Sequence, residues 1–261
     1  MTALSRMTHP PRSGARVLLV GLGGLGCPAA LVLAHAGVAA LGLCDDDVVE
    51  RSNLHRQILF TDADVGTSKL DAAVRALRGR LDQRPGPAPE LRLHRTRLLP
   101  GNALSIVREY DLVLEGADNF ATKFLAADAC ALAGVPVVHA SAVRWIGTAL
   151  AVGAGGGPCY RCLFEDVLPA DVAPGCAEAG VMGPVVGVVA AAQADLALAL
   201  LDGQSVQGQL VTFDGRTGAL RRRTIARRAD CPLCGAGAPG ARAARIERIE
   251  PERYVSPACA G

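Results

Sequence analysis

A glycine-rich turn and a run of acids are the residues of this sequence that most directly suggest chemistry. The turn, Gly21-Leu-Gly-Gly-Leu-Gly26, follows an apolar run, and Asp45 follows a second apolar run about twenty residues later. Glycines at this spacing allow a tight turn, close approach of an anion to the backbone and close packing of a helix on a strand. A carboxylate at Asp45 can accept hydrogen bonds from ribose hydroxyls. The stretch predicts a nucleotide site, and the alternative is a glycine-rich corner that binds nothing.

Charged and polar side chains are also expected at the ends of the predicted strands. Arg56 and Gln57 come after the second strand. Lys69 begins a helix, and Asp118 comes after the fourth strand. A ligand of an open α/β sheet lies in the crevice beyond the carboxyl ends of its strands, where an arginine and a lysine suit a triphosphate and Asp118 suits a bridging Mg²⁺ ion. Each residue alone would be a solvated surface charge, whereas their joint placement favours a binding site.

Two pairs of cysteines have the spacing of metal ligands. Cys159 and Cys162 form one C-x-x-C pair, and Cys231 and Cys234 form the other. Each pair can present two thiolates from one turn, and two pairs complete a tetrahedral four-cysteine zinc site without an open position. Such a closed site is structural, and it requires the fold to bring the pairs together. The alternatives are two redox dithiols or four buried thiols.

A further cysteine, Cys176, lies in a polar loop with glycine and proline neighbours. We expect its thiol to be exposed, and it is either reactive or an inert loop residue. By contrast, His35 and His139 lie in apolar contexts, which favour structural histidines over metal ligands.

Hydrophobic periodicity predicts one α/β domain over residues 15–235. A Rossmann-like, parallel nucleotide-binding half, 15–144, is continued by an antiparallel extension in a second half, 145–235. Residues 1–14 are expected to be a flexible N-terminal segment and 236–261 a loosely packed C-terminal tail. The predicted strands are Arg16–Val20, Ala39–Cys44, Leu91–Arg97, Asp111–Glu115, Val135–Ala140, Ile146–Val152, Leu210–Phe213 and Ala219–Thr224. The predicted helices are Leu25–Ala36, Gly66–Leu81, Ala103–Arg108, Phe120–Ala133 and Val181–Leu201.

Composition argues against several classes of protein. The 261 residues carry a formal net charge of +2 and 3% aromatic residues, which gives no indication of nucleic-acid binding. Met1–Arg16 lacks the apolar core of a signal peptide, and the apolar stretch Val181–Leu201 is interrupted by polar residues, so we expect no membrane span. Nine cysteines without a secretion signal favour a reducing compartment, and we expect a cytoplasmic protein.

Taken together, the motifs resemble those of the MoeB/ThiF/HesA family, the bacterial relatives of ubiquitin-activating E1 enzymes. The resemblance covers residues 16–235 and is specific because of the order and combination of the motifs. They are Gly21-Leu-Gly-Gly-Leu-Gly26, Asp45-Asp-Asp47, Ser52-Asn-Leu-His-Arg-Gln57, Gly66-Thr-Ser-Lys69, Ala117-Asp-Asn-Phe120, Pro158-Cys-Tyr-Arg-Cys162, Cys176-Ala-Glu-Ala-Gly-Val-Met-Gly-Pro184 and Cys231-Pro-Leu-Cys234.

The resemblance implies an adenylyltransferase. Its substrates would be MgATP and the C-terminal Gly-Gly carboxylate of a ubiquitin-like sulfur carrier protein of the MoaD or ThiS type. Its products would be pyrophosphate and an acyl-adenylate, from which a thiocarboxylate is later formed. Carried over by position, Asp45 holds the ribose, Asp118 binds Mg²⁺, and Cys176 matches a thiol that some relatives link covalently to the carrier. The other positions implied to bind the nucleotide are Gly21, Gly23, Gly24, Gly26, Asp47, Asn53, Arg56, Gln57, Lys69 and Asn119, and Arg56 and Lys69 are also implied in catalysis.

The resemblance further implies a homodimer and a separate protein that donates the sulfur. Two features depart from the family pattern. The Arg-Tyr-x-Arg-Gln motif of the family's N-terminal helix is not found in Met1–Gly14, where Arg6 and Arg12 are candidates to replace it. Lys123 stands where relatives usually have an arginine.

Two other functions fit parts of the sequence. An NAD-dependent Rossmann oxidoreductase would use the glycine turn and Asp45, but it explains neither the pair Arg56 and Lys69 nor the cysteine pairs. A non-catalytic relative that only binds a carrier would explain the missing N-terminal motif. Adenylyl transfer explains more of the motifs than either alternative.

Overall fold

The computed structural model of the chain describes residues 12–82, 87–155, 157–167, 180–235 and 245–255. A single sheet runs through these residues. Its strands are β1 (Arg16–Val20), β2 (Ala40–Cys44), β3 (Glu90–His94), β4 (Leu112–Glu115), β5 (Val137–Val143), β6 (Ile146–Val152), β7 (Gln209–Asp214) and β8 (Ala219–Thr224). In space the strands have the order β3-β2-β1-β4-β5-β6-β7-β8.

The first five strands of this order are parallel to one another. Strands β1, β2 and β4 are almost entirely buried, as expected for strands with helices on both faces. Since parallel strands end at the same edge, the loops after β1, β2, β4 and β5 meet there. The chain runs outward from β1 to β3 and then returns to β4, so the strand order reverses between β1 and β4. A crevice at such a reversal is the usual ligand position of an open α/β sheet.

Within the described residues, six α-helices cover the two faces of the sheet. They are α1 (Gly26–Ala36), α2 (Lys69–Leu81), α3 (Ala103–Val107), α4 (Phe120–Ala133), α5 (Tyr160–Leu163) and α6 (Gly183–Leu201). One hydrophobic core lies under α1, α2 and α6, and a second lies under α3, α4 and α5. Short 3-10 helices span Arg12–Gly14, Arg51–Asn53, Asp62–Asp64 and Pro251–Tyr254. The described part of the chain is therefore a three-layer α/β structure.

The last strands form an antiparallel extension of the parallel sheet. Strand β6 pairs with β5 and β7, and β8 pairs with β7 at the edge. The predicted fold class, a parallel half continued by an antiparallel extension, is confirmed. Many predicted boundaries agree to the residue, and the others differ by one to three residues. The largest differences, of three residues, are in β5, which continues to Val143, in β3, which ends at His94, and in α2, which begins at Lys69.

Helix α6 is the long apolar helix of the sequence. By length and composition alone it could cross a membrane, but 61% of its most apolar window is buried inside the protein. It packs against α1, β5 and β6. Its polar residue Gln193 is buried and donates hydrogen bonds to the carbonyl oxygens of Glu115 and Val138. The polar residues that interrupt the apolar stretch thus include one that fixes the helix to the sheet.

The C-terminal segment 245–255 differs from the expected loosely packed tail. Its residue Tyr254 is buried, and the phenol oxygen donates a 2.8 Å hydrogen bond to Asp128 in α4. Ile246 is buried as well, and its N–H bonds to the carbonyl oxygen of Pro232. The few apolar and aromatic residues of this segment are the reason that it packs on the domain.

The start of α1 lies unusually close to the end of β1. A Cβ atom placed on Gly26 would be 2.0 Å from the carbonyl oxygen of Gly21, which is far inside van der Waals contact. Gly21 itself has φ of +90°, a left-handed conformation that favours glycine. The turn between β1 and α1 therefore has this shape only with glycine at both positions.

We predict that Gly26→Ala lowers the free energy of unfolding by about 3 kcal/mol, because the added methyl group must push backbone away from backbone. Urea denaturation with equal m-values for the two proteins would measure the change. The matched control is Gly79→Ala in α2, where a Cβ meets nothing within 4 Å. That variant should gain about 0.5–1 kcal/mol from helix propensity. Equal effects at the two positions would contradict the close contact.

Candidate active site and cysteine cluster

A cavity of about 520 Å³ opens at the carboxyl edge of the parallel strands. It lies at the strand-order reversal between β1 and β4. The residues that line it are Val20, Gly21, Gly23, Gly24, Leu25, Cys44, Asp45, Asp46, Asp47, Val48, Glu50, Asn53, Arg56, Gln57, Lys69, Arg97, Leu98, Gly116, Ala117, Asp118, Asn119, Thr122, Ser141, Ala142, Val181 and Val186. The structure thus brings together nearly all of the residues that the sequence singled out for nucleotide binding.

The glycine turn forms one wall of the cavity. Gly21, Gly23 and Gly24 line it directly, whereas Gly26 lies at the start of α1 and acts through its close contact with Gly21. A Cβ on Gly24 would lie 2.9 Å from a side-chain atom of Val186 in α6. The turn therefore keeps its backbone accessible from the cavity and leads into the positive end of the α1 dipole, which favours an anion.

Asp45 is fixed at the tip of β2 by two backbone hydrogen bonds. Its Oδ2 accepts from the N–H of Leu22 at 2.7 Å, and its Oδ1 accepts from the N–H of Asp47 at 2.8 Å. The first bond joins the carboxylate to the glycine turn. Each carboxylate oxygen retains a further lone pair. The cavity therefore contains a preorganised acceptor that suits hydroxyl donors.

Lys69, the first residue of α2, and Asp47, which follows β2, form an ion pair at the same edge of the sheet. The Lys69 ammonium is 2.9 Å from Asp47 Oδ2, and its side chain is buried. Arg97 Nη2 contacts the other oxygen, Oδ1, at 3.1 Å, and Arg97 Nε bonds to Asp46. Burial acts to raise the pKa of Asp47, but Lys69 and Arg97 outweigh it and hold that pKa below its ordinary value. Asp47 therefore stays ionised and holds both cations in place.

Three polar residues of the segment after β2 complete this wall. Arg56 Nη2 donates to Asn53 Oδ1 at 2.5 Å, so the guanidinium and the amide orient each other. Gln57 is 3% exposed, and among the described residues its Oε1 has no hydrogen-bond partner. An unpaired buried amide oxygen is costly, and a bound donor would relieve that cost. All three side chains line the cavity.

Asp118 and Asn119 lie in the loop between β4 and α4, across β1 from the residues that follow β2. Asn119 Oδ1 accepts from the N–H of Thr122 at 2.8 Å and so caps helix α4. The Asp118 carboxylate is exposed at the cavity, and no hydrogen bond or ion pair with the described residues involves it. Carboxylate oxygens are the ligands that Mg²⁺ prefers. Asp118 is therefore free to ligate a metal, while the Asn119 oxygen already serves the helix cap.

Several cavity residues were not found from the sequence. Arg97 follows β3 in a segment with several arginines and no motif, so no local signal distinguishes it. Ser141, Ala142 and Val186 come from β5 and α6, and only the fold brings these elements to the cavity. Their side chains are small or apolar, and they line the end of the cavity opposite β3.

The four paired cysteines form one cluster. The Sγ atoms of Cys159 and Cys231 are 3.6 Å apart, those of Cys162 and Cys234 are 3.3 Å apart, and all four lie within 4.8 Å of one another. Zinc–sulfur bonds of about 2.3 Å in a regular tetrahedron separate the sulfur atoms by about 3.8 Å. The N–H of Arg228 also bonds to Cys162 Sγ, at 3.4 Å. The geometry of the cluster therefore fits the predicted zinc site with four cysteine ligands.

Other residues singled out from the sequence lie away from the cavity or outside the described part. Cys176 and Arg6 lie outside the described residues. Arg12 pairs with Asp202 at the end of α6. Lys123 is buried beneath the cavity, where it pairs with Glu115. His139 is buried beside that pair, and its ring bonds to Glu115 rather than to a thiol.

Solved structures with a similar fold include MccB from E. coli. MccB crystallised with MccA-N7isoASN superposes with a TM-score of 0.74 at 23% identity, covering 86% of this chain and 68% of MccB. MccB crystallised with ATP gives a TM-score of 0.72 at 22% identity, with the same shares of the two chains. These similarities establish a shared fold.

Curated proteins with a similar sequence are about twice as long as the part that matches. The chain is 46% identical over 224 residues to "Adenylyltransferase and sulfurtransferase MOCS3" of Sus scrofa, covering 85% of this chain and 48% of that protein. It is 44% identical over 239 residues to "Adenylyltransferase and sulfurtransferase uba4" of Aspergillus fumigatus, covering 86% and 48%. The chain thus spans about half the length of these relatives.

The sequence model of the ThiF family matches residues 12–233, which is most of the chain. The match includes the glycine turn, the acids after β2, the Asp118 loop and three of the four clustered cysteines, and Cys234 follows its end directly. The family resemblance inferred from the motifs is confirmed, and the chain belongs to the ThiF family.

Proposed function

We propose that this chain is an adenylyltransferase that uses MgATP to activate the C-terminal Gly-Gly carboxylate of a ubiquitin-like sulfur carrier protein. The main support is that one cavity brings together the glycine turn, Asp45, Lys69 and Asp118. The names of the curated relatives agree with this activity. We assign only adenylyl transfer to this chain, and the sulfur comes from a separate donor.

ATP spans the cavity from β2 to the Asp118 loop. Asp45 accepts hydrogen bonds from the ribose hydroxyls, because its carboxylate is fixed and faces the cavity. The phosphates lie along the glycine turn, near Asn53, Arg56 and Gln57, where the start of α1 favours negative charge. Lys69 uses one donor on Asp47 and retains two for phosphate oxygens.

The reaction is an attack of the carrier carboxylate on the α-phosphorus of ATP, with pyrophosphate as the leaving group. Negative charge increases on the phosphoryl oxygens in the transition state, so fixed cations beside them lower the barrier. Lys69 and Arg56 supply these cations, and both are held by hydrogen bonds to Asp47 and Asn53 before substrate binds. The small residues Ser141 and Ala142 leave room for a Gly-Gly terminus at the end of the cavity.

Asp118 suits a Mg²⁺ ion bound together with the phosphates. Its free carboxylate is the type of ligand that Mg²⁺ takes alongside phosphate oxygens and water. A bound Mg²⁺ would neutralise charge on the phosphates. The contribution of the chain is to keep Asp118 at the cavity and to hold its loop against the glycine turn.

The two alternative functions explain less of the cavity. An NAD-dependent oxidoreductase needs the glycine turn and Asp45, but it gives no use to a buried lysine held by Asp47 or to the free carboxylate of Asp118. A relative that only binds a carrier would not need cations that are already oriented in the cavity. Tight NAD binding without a response to ATP would favour the first alternative, and carrier binding without ATP–pyrophosphate exchange the second.

We predict that Lys69→Met and Asp118→Ala each lower carrier-stimulated ATP–pyrophosphate exchange by about 10²–10³-fold, because each removes a group that stabilises the phosphoryl charge. The assay measures exchange of labelled pyrophosphate into ATP with a carrier ending in Gly-Gly.

The matched control for this prediction is Arg95→Met. Arg95 lies near the same sheet edge but pairs with Asp71 and does not line the cavity. It should retain exchange at the wild-type rate. An active wild type that is indifferent to the Lys69 and Asp118 changes would refute their assigned roles.

We also propose that Cys159, Cys162, Cys231 and Cys234 bind one structural zinc ion. Four thiol groups at these distances complete a tetrahedron, so no position remains for a substrate. The cluster joins the start of α5, which follows β6, to the turn after β8, 72 residues later in the chain. The ion would add to the contacts that already connect the two segments, such as the ion pair between Arg228 and Glu165.

For the zinc site we predict that protein purified without chelator contains about one zinc per chain by metal analysis, as a closed site of four thiolates requires. Cys234→Ser should lose the metal and melt at a lower temperature, because metal binding contributes to folding. The control Cys130→Ala removes a buried cysteine outside the cluster and should retain the zinc. Metal-free wild type would overturn the assignment.

Cys176 remains the candidate for a covalent thiol, by the family resemblance alone. We predict that Cys176→Ala retains ATP–pyrophosphate exchange, since the thiol has no part in forming the acyl-adenylate. Intact-mass spectrometry without reductant should show a carrier adduct with wild type and Cys130→Ala but not with Cys176→Ala. An adduct that persists in the Cys176 variant would assign the linkage to another residue.

A homodimer and a cytoplasmic location also belong to this proposal. The dimer rests on the family resemblance, and the location on the use of cysteine. In the described chain Arg12 is engaged by Asp202, so Arg12 must leave this pair if it is to reach a partner's nucleotide.

A further inference from the structure

A buried cluster of charged groups lies directly beneath the loop that carries Asp118. Its members are Glu115, Lys123 and His139, which are 0%, 4% and 2% exposed. None of the three lines the cavity. The roles assigned above therefore do not explain why a carboxylate and an ammonium are buried here.

Glu115 is the last residue of β4, and its side chain reaches forward to the following loop. Its Oε1 accepts a 2.6 Å hydrogen bond from the N–H of Ala117. Ala117 is the residue directly before Asp118, so this bond fixes the backbone from which the Asp118 side chain projects. The loop also contacts the glycine turn, since a Cβ on Gly116 would lie 3.1 Å from Leu25 Cβ.

Lys123 holds the Glu115 carboxylate in position. Its ammonium is 3.2 Å from Oε1 and 3.0 Å from Oε2 of Glu115, and 2.6 Å from the carbonyl oxygen of Ala140 in β5. A lysine has three donors, and these contacts use all of them. The first turn of α4 is thereby joined to the ends of β4 and β5.

His139 and Gln193 complete the support. His139 Nδ1 lies 3.0 Å from Glu115 Oε2, and Gln193 in α6 donates to the Glu115 carbonyl oxygen. Burial lowers the pKa of His139 despite the neighbouring carboxylate, so the ring is neutral and its Nδ1–H donates. Burial acts to raise the pKa of Glu115, but Lys123 and His139 outweigh it, and the pKa is lowered. Glu115 therefore accepts the Ala117 N–H as an ionised carboxylate, which makes the bond strong.

Stability alone is a poor explanation for this arrangement. Removing two charges from water costs about as much as their attraction returns, and a buried ion pair can often be replaced by apolar residues without loss of stability. What an apolar pair could not supply is an acceptor at the N–H of Ala117. The geometry of the cluster thus serves the loop rather than the core.

Resting on the adenylyl transfer proposed above, we propose that Glu115 is a positioning residue that fixes Asp118 for metal binding, with Lys123 as its anchor. Residues that orient a metal ligand from behind commonly govern affinity by about 10–100-fold. The cation that Asp118 would bind is a divalent ion carried by the nucleotide.

The test is Glu115→Asp, which keeps the charge beside Lys123 but withdraws the oxygen from Ala117 by one methylene. We expect Mn²⁺ binding in the presence of a non-hydrolysable ATP analogue, measured by electron paramagnetic resonance, to weaken about tenfold. In the metal-free protein, hydrogen exchange of the Ala117 amide should accelerate. The change Asp111→Asn is the matched control, because it breaks an ion pair with Arg16 at the opposite end of β4. It should alter neither measurement.

A double variant separates the position of the acceptor from its charge. Glu115→Gln together with Lys123→Met retains an amide oxygen at the same reach and leaves no unpaired buried charge. Its Mn²⁺ affinity should fall by less than in Glu115→Asp, because the acceptor for the Ala117 N–H is kept although the anchor and the charge are lost. If the double variant weakens Mn²⁺ binding as much as Glu115→Asp does, the proposal is overturned. Wild-type affinity in Glu115→Asp would overturn it too.

These measurements do not depend on a carrier protein. If Mn²⁺ and nucleotide bind as expected but no carrier stimulates exchange, the adenylyl transfer proposal fails while the role of Glu115 stands. If Asp118→Ala leaves Mn²⁺ binding unchanged, Asp118 is not a ligand and the role of Glu115 fails with it.

Discussion

The contact between the glycines at the two ends of the first turn is the constraint from which the cavity follows. Because neither Gly21 nor Gly26 has a Cβ, α1 begins directly on the end of β1. Gly21 then lies against the backbone of Gly116, where even a Cβ would meet the carbonyl oxygen at 3.5 Å. The loops after β1 and β4 therefore run side by side, with backbone facing backbone. A side chain at Gly26 would push the start of α1 away from the end of β1 and so change the shape of the crevice between the two loops.

The charged side chains of the cavity are already oriented before a substrate binds. Asp47 divides its two oxygens between Lys69 and Arg97, and Asn53 orients Arg56. Without these partners, the side chains of the cations would have to reorient during the reaction. An environment that is already oriented costs little reorganisation when charge develops, and this is the usual source of electrostatic catalysis. Asp46 and Asp47 thus hold cations, whereas Asp45 is bound by backbone N–H groups and presents its carboxylate to the cavity.

The sequence predicted what depends on local pattern and missed what depends on distant contacts. The glycine turn, Asp45, Lys69 and the cysteine pairs are recognisable because their chemistry requires a fixed spacing. Helix α4 and strand β6 were predicted to the residue, since Asn119, Gly134 and the apolar alternation mark their ends. Arg97 could not be found, because its partners Asp46 and Asp47 lie about fifty residues away. The packing of Tyr254 on Asp128 spans an even longer separation, so the end of the chain read as a tail.

Helix α4 connects the cavity to the cysteine cluster. At its start, Asn119 caps the helix and Lys123 is tied to Glu115. Further along the helix, Asp128 accepts hydrogen bonds from Nε and Nη2 of the buried Arg161, both at 2.8 Å. In the sequence, Arg161 lies between the cluster cysteines Cys159 and Cys162. A bidentate, fully buried pair tolerates little displacement, because moving either partner leaves an unpaired charge. The turn that carries Cys159 and Cys162 and the loop that carries Asp118 are therefore both fixed to α4. The position of the cysteine cluster and the position of Asp118 thus depend on the same helix.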